Sequence, residues 1–381
     1  MYRHGGKWGN PWERQPATPD ISECQRRYSD ELSSKWPKFS KFKCNRWPGD
    51  NTKLAALNAL QSVVALVTYC DGVELIPGCG TIIESHDNAI IVLTSANLIR
   101  RPTSNEFGEN ALANNITVCA HSYDGHSYKG GEVFAYDFHY NLAVLKFISE
   151  TPLGPAKFGR MDELIPANKV VVMGIYFAEP FEPMTAMGEY WCERARYDCK
   201  ELFVTNCKIT RCGDGGPLIN YCGEVIGLAF YDPDSSPCLP INIALMWWEH
   251  YKKYRKCCRP FLGLEATNLN AADLGIIARV IQKFPNAHKG VIIEKVIPDS
   301  AADLAGIHVN DVIIQCGEKR IQSLLELFEM IWEKVGVPIE LVIVRVDNIA
   351  PIQLNMVFVE ATLDQLYSWP ANNANYDDYS D

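Results

Sequence analysis

From Ser62 onward the apolar residues fall into short runs, each bounded by turn-forming residues. The runs are Ser62–Leu66, Gly80–Ile83, Ala89–Thr94, Ile116–Ala120, Leu142–Ile148, Lys169–Met173, Glu201–Val204, Pro217–Ile219 and Val225–Phe230. Many short stretches rich in Val and Ile, separated by Gly, Asn, Asp and Pro, predict strands of an all-β barrel or sandwich. The pattern then changes. Ile243–Lys256 reads as a helix stopped by Pro260, whose ring cannot continue one.

Beyond Pro260 strands and helices alternate. Gly290–Val296, Asp311–Cys316, Ile339–Val346 and Ile352–Val359 read as strands, and Ser300–Gly306 as a short helix ending at a glycine. Ser323–Lys334 reads as an amphipathic helix, with Leu324, Leu327, Phe328 and Ile331 on neighbouring faces. The pattern divides the chain into a basic N-terminal arm over 1–52, a β-rich unit with its linker helix over 53–256, an α+β unit over 257–362 and an acidic tail over 363–381. The arm holds ten Lys/Arg against six Asp/Glu, and arm and tail alike are expected to be solvated and without a core.

Three segments of the first unit resemble the HtrA/Do-like (Deg) trypsin-like serine proteases. Leu93-Thr94-Ser95-Ala96-Asn97-Leu98-Ile99 resembles the strand end that carries the family's histidine. Asn141-Leu142-Ala143-Val144-Leu145-Lys146 resembles the segment opened by the triad aspartate. Thr205–Asn220, with Cys212-Gly213-Asp214-Gly215-Gly216-Pro217-Leu218, resembles the nucleophile turn. Gly78-Cys79-Gly80 and Gly223-Glu224-Val225-Ile226-Gly227 resemble the flanking pieces. The second unit resembles the PDZ domain of the same family. Phe261-Leu262-Gly263-Leu264 matches its carboxylate-binding loop, and Pro298-Asp299-Ser300-Ala301-Ala302, Ala305-Gly306 and Asp311-Val312-Ile313 match its later turns. The resemblance implies a mainly β protein, a chymotrypsin/trypsin-like double β-barrel followed by an α+β PDZ domain.

It also places Asn97, Asn141 and Asp214 at the base, orienting and nucleophile positions, with Cys212 and Gly213 in the oxyanion turn. A serine protease uses a hydroxyl, an imidazole and a buried carboxylate there. An amide is not basic near neutral pH, and a carboxylate at 214 sets a negative charge beside the oxyanion donors. The sequence-based expectation is therefore a non-enzyme, a catalytically inactive homologue acting as a peptide-binding adaptor. The alternative is a hydrolase of altered chemistry working through Asp214 or Cys212, with His121, His126 or His139 as a conceivable partner for the thiol.

Composition narrows the partners. The 36 basic and 46 acidic side chains give a net charge of −10, which argues against a general nucleic-acid surface. The chain has 14 cysteines, and Cys192, Cys199, Cys207, Cys212 and Cys222 lack the close C-x-x-C pairs of zinc sites, so no metal and no cofactor are expected. The first fifteen residues lack the apolar core of a signal peptide and no apolar run is long enough for a membrane span, so a cytoplasmic or nuclear protein with free thiols is expected. The expected partners are C-terminal or extended peptides, held at Phe261, Leu262, Gly263 and Leu264 by strand addition. The resemblance adds homo- or hetero-oligomers, trimers with related proteases among them.

Overall fold

The computed structural model describes residues 51–362 apart from 87, 102–108, 150–152, 162–163, 165–166, 195–198, 200, 233–235, 257–258 and 333. The acidic tail, and all but the last two residues of the basic arm, lie outside the described residues. Those two residues, Asn51 and Thr52, open helix α1 (Asn51–Leu60), so the arm stops short of its expected boundary. Ala55, Ala56, Ala59 and Leu60 are buried while Leu54 and Leu57 stay exposed. The small residues let this helix lie close against the second barrel.

The first barrel region comprises β1 (Val63–Cys70), β2 (Val73–His86), β3 (Ala89–Ser95), a small hairpin of β4 (Arg100–Arg101) and β5 (Glu109–Leu112), then β6 (Ile116–His121), β7 (Ser127–Asp137) and β8 (Leu142–Ile148). Six of these close in the order β1-β2-β3-β8-β7-β6. The second barrel, β9 (Lys169–Ile175), β10 (Pro183–Arg194), β11 (Phe203–Thr205), β12 (Pro217–Ile219), β13 (Val225–Ala229) and β14 (Ser236–Pro240), closes in the order β10-β11-β14-β13-β12-β9. The double barrel expected from the sequence is therefore present. β7, β10 and β14 were not among the expected strands. β7 carries Gly130-Gly131, and β14 holds Pro237 and Pro240, residues that read as turns in isolation.

The apolar runs lack alternation because both faces of the central strands are covered. Val64 and Leu66 of β1 point into the first barrel with Ile90, Val92, Leu145 and Phe147. Val63 and Ala65, together with Leu93 and Val144, belong to the large core that continues into the second barrel. Period-2 geometry sends neighbours to opposite faces, so two buried faces demand an unbroken apolar string.

Helix α2 (Ile241–Tyr254) follows the second barrel but also grips the first. Ile241, Ile243, Ala244, Trp247 and Trp248 are buried. Trp248 Nε1 and Lys252 Nζ donate to Glu84 Oε1 at 2.7 and 2.6 Å, and the Tyr251 hydroxyl donates to the Phe134 carbonyl at 3.1 Å. The helix stops at Arg255, whose φ of 53° turns the chain left-handed before Pro260 is reached.

The last unit pairs β15 (Pro260–Phe261) with a late strand, then builds a sheet from β16 (Leu264–Asn268), β17 (Val291–Val296), β18 (Val312–Cys316) with β19 (Lys319–Arg320) beside it, β20 (Pro338–Val344) and β21 (Ile352–Val357); β22 (Val359–Glu360) is the partner of β15. Between them lie α3 (Leu274–Lys283), which the sequence reading did not single out, α4 (Ala301–Leu304) and α5 (Leu324–Trp332). Ser300 caps α4 by accepting from Asp303 N. Asp311, fully buried, receives Arg345 Nε and Nη2 at 2.7 and 2.8 Å. Helix α5 rests on the barrels. Glu329 accepts from Arg160 at 3.2 Å and from Asn242 Nδ2 at 3.1 Å, and Trp332 stacks on Tyr140 at 6.2 Å between centroids. None of the described helices is long and apolar enough to cross a membrane.

Candidate functional site

Loops at facing ends of the barrels bring Asn97 and Asp214 together. After β3 the chain enters a 3-10 turn, Ala96–Ile99, capped by the Ser95 side chain, which accepts from Asn97 N. In the second barrel a 3-10 turn over Arg211–Gly213 leads into Asp214 and Gly215 before β12. Asp214 is 5% exposed. Its Oδ1 accepts from Tyr231 N at 3.0 Å, and its carboxylate also takes side-chain hydrogen bonds from Asn97 and Ser95.

Gly215 fixes this arrangement. Its φ is +77°, and a Cβ there would lie 2.6 Å from both the Cys79 carbonyl oxygen and Ser95 N. No side chain fits a left-handed residue wedged between two strands.

Burial raises the Asp214 carboxyl to about 6, against the Tyr231 N–H, the Arg211 charge and the Asn97 and Ser95 side chains, which favour the anion. Nearby, burial pushes the Cys79 thiol up to about 12, so it stays protonated. Cys212 is 2% exposed. The backbone N–H groups of the turn are occupied: Gly213 donates to Thr210 O, Asp214 to Arg211 O, Gly215 to Ala229 O and Gly216 to Gly213 O, at 2.8–3.0 Å. An acyl oxygen would find these four donors already engaged.

Asn141 arrives differently. It is fully buried, sits at φ 53°, and its carbonyl accepts from Ala96 N at 3.0 Å, which joins its loop to that of Asn97. Its Oδ1 and Nδ2 have no hydrogen-bond partner among the described residues. The histidines lie apart: His121 bonds Ser127 Oγ at 2.8 Å and stacks on Phe181, and His126 pairs with Asp124. His139 lies beside Cys199 and Glu201. Nine cysteines among the described residues are free thiols.

The expected peptide-binding residues run from the end of β15 to the start of β16. Phe261 pairs with Val359, and Gly263, at φ +69°, presents its carbonyl to Ser300 Oγ and Ile297 N, both at 2.9 Å. Leu262 is half-buried and Leu264 buried. Among the described residues strand β16 pairs only with β17, which leaves its other edge open. Across from it α5 contributes the half-buried Leu324 and Leu325. Asn268 Oδ1 accepts from Leu324 N at 2.7 Å, which bridges strand and helix at the far end, a feature the sequence did not signal.

Comparison with known proteins assigns both parts. Residues 78–228 match the family model of a trypsin-like peptidase domain, and residues 260–355 that of a PDZ domain. The chain is 29% identical over 252 residues to protease Do-like 14 of Arabidopsis thaliana, covering 63% of this chain and 56% of that protein. It is 26% identical over 261 residues to serine protease HTRA1 of Xenopus tropicalis, covering 62% and 54%. The chain thus spans about half the length of these curated relatives. A solved structure of the HtrA-type protease AlgW with tripeptide shares the fold, with a TM-score of 0.53 at 18% identity over 82% of this chain and 97% of that one. The expectation of a non-enzyme is overturned by the peptidase-domain match and by relatives named as serine proteases; replaced side chains at three positions do not establish loss of activity. With two closed barrels, a PDZ domain and these relatives, the chain belongs to the HtrA/Do-like family of trypsin-like serine proteases with a C-terminal PDZ domain.

Proposed function

We propose that this HtrA-family protein captures the C-terminal segment of a client polypeptide in its PDZ groove and offers the chain to the peptidase barrels. The observation that carries this is the open edge of β16 facing the apolar side chains of α5, with Gly263 turning the loop at its head. An extended peptide adds to such an edge by backbone hydrogen bonds, while an apolar last side chain enters between strand and helix. Titration of the full chain with peptides ending in Val or Leu is expected to give binding at least about tenfold tighter with a free carboxylate than with an amide, a difference of about 1.4 kcal/mol. Leu324→Glu is expected to remove it. Equal binding of both peptides would overturn the reading. We extend the proposal to assembly of barrels into trimers, which light scattering on the purified chain would test.

Hydrolysis is the second reading, favoured by the peptidase-domain match. Among Asn97, Asn141 and Asp214 only Asp214 gains or loses a proton near neutral pH, so proton transfer at these positions falls to it. Its turn must reorganise to free the engaged N–H donors. Casein turnover by the full chain is expected to rise as pH passes through about 6, where the carboxylate forms, and to be lost in Asp214→Asn. Turnover unchanged in that variant would transfer the role to another group, with Cys212→Ala as the next comparison.

A further inference from the structure

A second cluster of reactive side chains includes a residue of the turn that carries Asn141, where the β7–β8 turn of the first barrel meets the β10–β11 connection of the second. The ligand-capable atoms of His139, Cys199 and Glu201 all lie within 4.8 Å of one another. Cys199 is 3% exposed, and the other two are half-buried. Cys199 Sγ donates to Glu201 Oε2 at 3.3 Å, and the other carboxylate oxygen accepts from the Tyr140 hydroxyl at 3.1 Å. We propose that His139, Cys199 and Glu201 bind a divalent cation of the zinc class, with Tyr140 as the residue that positions Glu201.

The donor set is one imidazole nitrogen, one sulfur and one carboxylate oxygen, which suits a borderline-soft, tetrahedral ion better than Mg²⁺ or Ca²⁺. Ligands about 2.0–2.3 Å from a tetrahedral centre sit roughly 3.3–3.8 Å from one another. The thiol–carboxylate pair is already at 3.3 Å, so rotation of the half-buried His139 side chain is the main adjustment. Tyr140 is 1% exposed and holds the far oxygen of Glu201, leaving Oε2 aimed at the shared space. An outer hydrogen bond of this kind fixes a ligand's orientation.

The exchange balances without any redox partner. The Cys199 S–H bond breaks and its proton leaves to solvent. Sulfur, Glu201 Oε2 and a His139 ring nitrogen each donate an electron pair to the ion, and water fills the remaining position. The Arg259 guanidinium lies nearby, within electrostatic reach of Cys199 and Glu201. It lies over the Tyr140 ring, 3.8 Å from the centroid, and pairs with Asp137 at 3.7 Å. Asp137, Glu201 and Arg259 carry one formal negative charge between them. A divalent ion and the lost thiol proton bring the cluster to neutrality. The ligands come from different barrels, so no cysteine spacing in the sequence reveals them, and the proposal departs from the expectation of no metal.

The test is titration of the full, metal-stripped chain with Co²⁺, followed by displacement with Zn²⁺. One equivalent is expected to bind with a thiolate-to-cobalt charge-transfer band, and Zn²⁺ is expected to erase the band. Cys199→Ser is expected to abolish the band, and His139→Ala to weaken binding by at least about tenfold. Glu201→Gln keeps the side chain's shape and is expected to weaken binding by a similar factor, which guards against misfolding of the cysteine variant. Absence of the band in the full chain, or a band and affinity unchanged in both Cys199→Ser and Glu201→Gln, would overturn the proposal.

Discussion

Asp214 shows what burial does to an acid even when hydrogen bonds and a nearby arginine charge favour its anion. Three hydrogen bonds favour its anion, yet burial outweighs them and holds the carboxyl near 6. A folded-state pKa above the unfolded value near 3.9 means that the folded chain binds more protons between those two values. Stability from this group is therefore greatest below about 4 and is lost as pH rises to about 6. Asp214→Asn is expected to stabilise the chain at pH 8 by up to about 3 kcal/mol, with the gain fading as pH falls toward 4, read from urea midpoints at both pH values. Asn141 presents the complementary case. Its amide is buried without partners among the described residues, at a cost of about 1–3 kcal/mol. Asn141→Asp is expected to lower the Tm at pH 8 more than at pH 5, because a carboxylate there is harder to bury than a carboxylic acid. Gly215→Ala is expected to cost about 3 kcal/mol or more, since its Cβ meets backbone on two strands. Recovery of soluble folded protein would report it.

At the scale of elements, legibility followed burial. β1, β3, β8 and β9 were readable as apolar strings, because both faces of such strands are covered. β7, half exposed and interrupted by two glycines, was not, and β14 was masked by its prolines. Helix α2 was readable, but its end was attributed to Pro260 when the left-handed Arg255 stops it first. The family pattern points to Asn97, Asn141 and Asp214. Their hydrogen bonding was not legible, because that depends on which loops meet in space. Asn268, whose side chain ties β16 to α5, carried no signal at all. In the PDZ domain the pair Asp311–Arg345 joins the loop after α4 to β20's end. Removing one partner of a buried pair leaves the other charge uncompensated, so Arg345→Leu is expected to destabilise the chain by about 3 kcal/mol, measurable by chemical denaturation.

Over the whole molecule, the pattern of strands and turns separated a β-rich unit from an α+β unit, and the family resemblance supplied the double barrel and the PDZ domain. It led further, to an inactive adaptor, by weighing three side chains more heavily than the rest of a peptidase domain. The geometry adds what a list of side chains omits: a buried acid with a raised pKa, a turn whose donors are already engaged, and the His139, Cys199 and Glu201 cluster drawn from both barrels. Helix α2 carries one more consequence. It leaves the second barrel and bonds Glu84 and Phe134 of the first. It acts as a strap across the seam, so the barrels cannot part like the halves of a hinge to admit a polypeptide. Access to Asp214 must come from rearrangement of the surface loops, and heating should melt both barrels in a single calorimetric step, which Glu84→Ala would shift to lower temperature.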